Sequence, residues 1–82
     1  MALYFLTYDL RNSRDYQKLY DELAKYHAVR VLESTWCFNR VETTAPGLRD
    51  YFRNYIDSDD GLLIVESNEW ATCKTNKTPK NL

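Results

Sequence analysis

A short apolar run near the amino terminus constrains the fold more than any other feature of the chain. Residues 3–8 are apolar or aromatic except for one threonine, and the acidic residue Asp9 follows directly. A strand that is apolar on both faces has to be covered on both faces, which predicts a buried central strand over about residues 2–8. Asp9 then stands at the carboxyl end of this strand, where ligands and metals commonly approach a sheet.

The size of the chain indicates that it needs help to be stable. Its 82 residues fit one domain, and a domain of this size buries only about 60% of its unfolded surface. The two cysteines, Cys37 and Cys73, and the one histidine suggest neither a disulfide framework nor a closed zinc site. We therefore expect a second subunit to supply the missing stability.

The charge and the ends of the chain bear on its location and partners. The net charge is −1, whereas residues 74–82 hold three lysines and no acid. A nucleic-acid-binding protein usually has a clearer basic excess, which argues mildly against tight, non-specific DNA binding. No basic region precedes the apolar run, and the run is too short to span a bilayer, so we expect a cytoplasmic protein without a membrane partner.

The pattern along the rest of the chain predicts two helices and three more strands. A helix is predicted over about residues 13–26, two strands or one long bent strand over 28–41, and a last core strand over 62–65. The second helix opens near residues 43–46 and has the clearest amphipathic spacing, in Leu48, Tyr51, Phe52, Tyr55 and Ile56. We expect one domain over residues 1–73 and a disordered polar, basic tail over residues 74–82.

This order predicts an α+β fold, the ferredoxin-like βαββαβ sandwich. Its four-stranded antiparallel sheet carries both helices on one face, because right-handed crossovers place them together. The other face is left open and apolar, which marks an interface and predicts a two-fold homodimer that packs sheet on sheet. The expected dimer interface consists of Tyr4, Leu6, Tyr8 and Trp36, with Leu3 and Phe5 as the alternates on the first strand.

An ordered set of short motifs over about residues 2–66 resembles a known family. The motifs are YDL at residues 8–10, Arg14 shortly after, a helix ending near Tyr26, ESTW at residues 33–36 and YID at residues 55–57. The set is similar to the CRISPR-associated Cas2 superfamily. It is closest to the SinR-like branch, in which an LESTW element like residues 32–36 is typical.

The resemblance implies a homodimer in which Asp9 matches the proposed metal-binding, catalytic residue of a nuclease. In the family this residue closes the first strand and faces its mate near the two-fold axis. Ser34 matches a serine of the second strand, and Trp36 replaces the usual phenylalanine. Cys37 stands where many members carry an acid, and His27 stands where a glycine often ends the first helix.

Each candidate site residue has a functional and a structural interpretation. One Asp9 from each subunit could hold a Mg²⁺ ion that polarises a phosphate or supplies hydroxide, or Asp9 could accept bonds from the amides of the following loop. Arg11 and Arg14 could grip phosphate, or they could be solvated, with one of them pairing with Asp15. Ser34 could position a water or phosphate by its hydroxyl, or satisfy backbone groups where the strand bends.

Two classes of function remain open at this point. The first is a metal-dependent endoribonuclease, or an endonuclease more broadly, linked to prokaryotic or phage defence, with RNA or DNA as its partner. The second is a non-catalytic dimeric scaffold or interaction module with a protein partner, like the Cas2 dimer in CRISPR adaptation or a toxin–antitoxin component. The retained Asp9 favours the first, and the missing acid at Cys37 favours the second.

Overall fold

The computed structural model describes residues 1–11 and 17–82 and confirms the predicted fold class. Its strands and helices follow the order βαββαβ: β1 (Ala2–Asp9), α1 (Gln17–Lys25), β2 (Val29–Leu32), β3 (Thr35–Arg40), α2 (Ala45–Phe52) and β4 (Gly61–Ser67). A 3-10 turn, Arg53–Tyr55, continues α2, and a second one, Pro79–Asn81, lies near the carboxyl end. Within the described residues, no helix has the length and hydropathy needed to cross a membrane.

The four strands form one antiparallel sheet in the order β2-β3-β1-β4. The apolar first strand is therefore central, as its composition predicts. The predicted break in residues 28–41 is the turn at Glu33 and Ser34, which separates β2 from β3. Both helices pack on one face of the sheet, where the core is formed by Tyr4, Leu6, Tyr8, Leu10, Leu19, Leu23, Phe38, Leu48 and Phe52.

The ends of the helices are determined by local chemistry. Thr44 caps α2, because its hydroxyl accepts a hydrogen bond from the Gly47 N–H at 3.1 Å. At the end of α1, His27 adopts φ 55 and donates its N–H to the Ala24 carbonyl, while the Ala28 N–H reaches the Leu23 carbonyl. These bonds form a Schellman motif with histidine where glycine is the usual residue. The predicted start of the first helix, at about residue 13, falls in residues 12–16, outside the described part of the chain.

The predicted dimer interface on the first strand is wrong in its choice of face. Tyr4, Leu6 and Tyr8 point under the helices and are almost fully buried in the core. The Tyr4 hydroxyl donates to the Thr43 carbonyl at 3.0 Å, and the Tyr8 hydroxyl donates to that of Tyr20 at 3.2 Å. The hydroxyls of Tyr4 and Tyr8 keep hydrogen-bond partners at the rim of the core. Burial of these two side chains therefore leaves neither hydroxyl unsatisfied.

Trp36 also lies on the covered side of the sheet. It stands opposite Leu6 in the β1–β3 register and packs against Tyr20 of α1, with 5.4 Å between the ring centroids. The helix-free face of β1 consists instead of Leu3, Phe5, Thr7 and Asp9, by the alternation of side chains along a strand. Leu3 and Phe5, the predicted alternates, are thus the residues that point away from the helices.

The carboxyl-terminal tail packs against β2, whereas its composition predicts a disordered segment. The Asn76 N–H donates to the Val31 carbonyl of β2 at 2.9 Å, and Thr78 caps the final 3-10 turn through a capping box. Thr75, Thr78 and Pro79 are half-buried, whereas the lysines of the tail are exposed. A segment can therefore carry three cations and still dock, because its charges all point towards solvent.

Candidate functional site

Asp9 is the last residue of β1 and points away from the helices. It stands opposite Gly61 in the β1–β4 register. Its side chain is 72% exposed, and its Oδ2 accepts a hydrogen bond from Arg11 Nε at 3.2 Å. The structure thus brings together two of the predicted site residues, an accessible carboxylate and a guanidinium, at the carboxyl end of the central strand.

The acidic turn before β4 positions Arg11. The Arg11 N–H donates to Asp60 Oδ1 at 2.7 Å, and its Nη1 donates to the Asp59 carbonyl at 3.1 Å. The other carboxylate oxygen of Asp60 accepts the Asp57 N–H at 2.8 Å, so one side chain orders both segments. A Cβ atom at Gly61 would lie 2.9 Å from Arg11 Nη2, so the guanidinium approaches the backbone at the start of β4 closely.

Ser34 lies beside the end of β1 but contributes its backbone. Its carbonyl accepts hydrogen bonds from the Tyr8 N–H at 3.2 Å and from Thr7 Oγ1 at 3.0 Å. Thr7 Oγ1 also lies 3.1 Å from Thr35 Oγ1. These contacts involve the main chain of Ser34, so they favour neither predicted role of its hydroxyl. Arg14, the remaining predicted nucleic-acid contact, lies outside the described residues.

Arg30 supports the turn at Glu33 and Ser34 from the face of the sheet that the helices cover. The Arg30 guanidinium donates to the Glu33 carbonyl and, at 2.7 Å, to the Tyr20 hydroxyl, and it lies over the rings of Tyr20 and Trp36. Burial, and then the hydrogen bond with Tyr20, raise the pKa of Tyr8 to about 12. Sequence reasoning missed Arg30, because its contacts join three elements and no local motif signals them.

A second missed residue is Glu22 on the inner side of α1. It is only 4% exposed, and it accepts hydrogen bonds from Lys25 Nζ at 2.7 Å and from the Tyr51 hydroxyl of α2. The bonds from Lys25 and Tyr51 lower the pKa of this carboxyl, and they outweigh the effect of burial. Glu22 is therefore a structural link between the helices, on the opposite side of the sheet from Asp9.

The described residues of a single chain do not offer a complete metal site around Asp9. Among residues 1–11 and 17–82, no group of three or more His, Cys, Asp or Glu side chains could hold a metal ion. Mg²⁺ commonly binds through one or two carboxylates, several waters and substrate phosphates. The exposed Asp9 carboxylate fits a shared site of that type, provided that a second carboxylate or a phosphate comes from outside the chain.

An exposed apolar strip leads along the helix-free face to Asp9. It consists of Leu3 and Phe5 on β1 with Leu63 and Val65 on β4, and the last two side chains are 56% and 44% exposed. Phe5 stands opposite Val65 in the register of the two strands. At its end lies a shallow cavity of about 260 Å³, lined by Thr7, Tyr8, Asp9, Gly61, Leu62 and Leu63. The arrangement joins an apolar contact surface to an accessible acid.

The comparison with known families agrees with the architecture and with the motifs. The family model described as CRISPR associated protein Cas2 matches residues 1–73. Among solved structures, none matches the chain. Since the match covers most of the chain, the protein belongs to the Cas2 family.

Proposed function

We propose that this Cas2-family protein acts as a homodimer and cleaves RNA, or nucleic acid more broadly, in a metal-dependent reaction linked to prokaryotic or phage defence. This proposal rests on the position of Asp9 at the end of the apolar strip on the helix-free face. Two strips packed around a two-fold axis that runs along β1 would bury their apolar side chains and bring the two Asp9 carboxylates to one seam. The LESTW element at residues 32–36 supports assignment to the SinR-like branch.

The residues of each chain have distinct tasks in this proposal. A Mg²⁺ ion, when bound, polarises the scissile phosphate and supplies hydroxide for attack. The two Asp9 carboxylates hold that ion, and Arg11 lessens the repulsion between them, since its guanidinium already pairs with Asp9. Arg11 also faces solvent and can grip a phosphate that flanks the cleaved bond. The Ser34 carbonyl fixes the end of β1, so that Asp9 stays at the seam.

The test compares wild-type protein with Asp9→Asn on single- and double-stranded RNA and DNA, with Mg²⁺, Mn²⁺ or chelator. The matched control is Asp50→Asn on α2, because Asp50 is also exposed and also pairs with arginine. Loss of an interaction made only in the transition state lowers the rate by about 10²-fold or more. The proposal requires this loss in Asp9→Asn and in chelator, with Asp50→Asn at the wild-type rate. Equal activity in both variants would point to a contaminating nuclease.

A non-catalytic scaffold is the second candidate, and one observation favours it. The resemblance places an acid at the position that Cys37 occupies here. Because Cys37 is a thiol and is fully buried, it cannot assist Asp9 as a second carboxylate would. A dimer could then present its surfaces to a protein partner, as in CRISPR adaptation, or act within a toxin–antitoxin pair. A stable dimer without metal-dependent cleavage in any substrate, and with Asp9→Asn identical to wild type, would support this candidate instead.

A further inference from the structure

Two side chains on the helix-free half of the sheet are buried although no helix covers them. Cys37 is 0% exposed and Val31 is 3% exposed. Cys37 stands opposite Phe5 on one side and Val29 on the other, so it points away from α1 and α2. Neither Cys37 nor Val31 belongs to the cluster of buried residues that packs beneath the helices. Residues outside α1 and α2 therefore bury them.

Residues 74–82, the strap, are placed to provide this cover. At one end of the covered region the Asn76 N–H donates to the Val31 carbonyl at 2.9 Å. At the other end Leu82 lines a shallow cavity with Met1, Tyr26, His27 and Asn39. Asn39 lies two residues beyond Cys37 on β3, and hence on the same face. The strap therefore begins against β2 at Val31 and ends near Asn39 of β3, and Cys37 lies between these two positions on the sheet.

The strap has its own local determinants. Lys74 adopts φ 57, a left-handed conformation that sharply changes the direction of the chain where the strap begins. The Thr78 hydroxyl accepts the Lys80 N–H at 3.2 Å, and the Thr78 N–H donates to Asn81 Oδ1 at 2.9 Å. Only one backbone hydrogen bond to the sheet is found among the described residues of the strap. A segment held by so few bonds opens far more easily than the sheet itself.

We propose that the strap is an autoinhibitory cover: it closes the β2–β3 half of the helix-free face within one chain and opens to admit a second copy over the whole face. The apolar strip on β1 and β4 stays accessible when the strap is closed. Opening joins that strip to Val29, Val31 and Cys37, which enlarges the apolar surface available for self-association. The strap therefore sets the strength of self-association without touching Asp9.

The thiol of Cys37 reports the opening of the strap. In a Cys73→Ser background Cys37 is the one thiol left, since the chain has two cysteines. Asn76→Pro removes the N–H that binds Val31, whereas the matched control Asn76→Ala keeps it. With Ellman's reagent in excess, we expect Asn76→Pro to react about 10-fold faster than the background protein. Asn76→Ala should stay within about 2-fold of that background.

A melting curve followed by circular dichroism shows whether Asn76→Pro is still folded. If Asn76→Pro is unfolded, Thr78→Ala replaces it as the test variant, because this substitution removes the cap of the final 3-10 turn. Its control is Thr72→Ala, since Thr72 is exposed and lies outside the strap. Faster labelling in Thr78→Ala than in Thr72→Ala supports the strap. Equal labelling in the strap variants and their controls overturns it. Protection of Cys37 that disappears on dilution also overturns it, because a second copy would then be the cover.

Sedimentation velocity tests whether the strap limits self-association. An open strap should strengthen self-association by about 10-fold in Asn76→Pro relative to Asn76→Ala. An identical association constant in these two variants would refute competition between the strap and a second copy. The thiol measurement needs neither nuclease activity nor a wild-type dimer, so a failure of the proposed function leaves its result interpretable.

Discussion

Arg11 Nε lies 3.2 Å from Asp9 Oδ2, and this pair stands at the carboxyl end of the central strand β1 with both side chains more than half exposed. An exposed pair of this kind stabilises a fold by no more than about 1 kcal/mol. The position of Arg11 is fixed instead by its backbone N–H, which donates to Asp60 at 2.7 Å. The Arg11 guanidinium is therefore held near Asp9 by a weak interaction, and it can leave Asp9 for a phosphate.

Arg11→Gln is expected to weaken RNA binding, because the variant can no longer pair a cation with a phosphate. Removing one cation–phosphate pair reduces the slope of log K against log salt by about 1, and a dimer carries the substitution twice. Stability should change by less than about 1 kcal/mol, because the salt bridge is exposed. The measurement is a binding titration on single-stranded RNA at several salt concentrations. Arg53→Gln, in the 3-10 turn after α2, is the control, because Arg53 is also an exposed arginine paired with an acid, and an equal slope in both variants would contradict the assigned role.

Glu22→Gln is expected to destabilise the domain. Glu22 accepts hydrogen bonds from Lys25 and Tyr51, and hydrogen bonds to a charged group contribute about 1.5–3 kcal/mol. Gln keeps the shape but loses the charge, so we expect a loss of about 1–2 kcal/mol in urea unfolding. The control is the exposed Glu69→Gln, which should stay within about 0.5 kcal/mol of wild type. Similar values for the two variants would show that Glu22 does not link the helices.

The lowered pKa of Glu22 predicts that the stability of the chain depends on pH. The pKa of Glu22 lies below its ordinary value of 4.5 in the folded chain, because Lys25 and Tyr51 bond its charged form. Its contribution to stability is therefore fully present above pH 4.5 and is lost as the pH falls through the folded pKa. The difference in unfolding free energy between wild type and Glu22→Gln should be constant near neutrality and shrink in acid. A difference that grows as the pH falls would have the wrong sign.

His27→Gly is expected to stabilise the chain. His27 occupies the left-handed position after α1 with φ 55, where a side chain carries a steric penalty that glycine avoids. We expect a gain of about 0.5–1 kcal/mol in thermal or urea unfolding, in part offset by the greater freedom of glycine in the unfolded chain. His27→Ala keeps the Cβ atom and should bring no such gain. A destabilised glycine variant would mean that the imidazole makes a contact of its own.

Local patterns were enough to predict the elements and the fold class. The apolar run before Asp9 predicted the central strand, and the spacing of Leu48 and Phe52 predicted the buried face of α2. The start of α2 near residues 43–46 was likewise predicted from the sequence. The position of Asp9 at an exposed strand end followed from the same pattern, because a lone acid after an apolar run marks where burial stops.

What the sequence could not predict depends on long-range partners. Both alternating sets of β1 are apolar, so periodicity alone could not decide whether Phe5 or Leu6 faces the helices. Tyr4 is a core residue because it packs with Leu23, Leu48 and other residues of the helices, and its hydroxyl finds a partner in the Thr43 carbonyl, 39 residues away. The tail looked disordered because its composition is polar, whereas its docking depends on a carbonyl of β2. Glu22 and Arg30 likewise depend on contacts between elements that no local motif records.

The most direct test of the account is the mass of the protein in solution, because the shared Asp9 site needs two copies joined by the apolar strip. Sedimentation equilibrium at about ten micromolar should give twice the chain mass of 9.8 kDa for wild type. Leu63→Asp places a charge in the strip and should give the mass of one chain, whereas Val41→Asp, equally exposed but outside the strip, should remain a dimer. A wild-type protein that sediments as a single chain, or a Leu63→Asp variant that stays dimeric, would contradict the account.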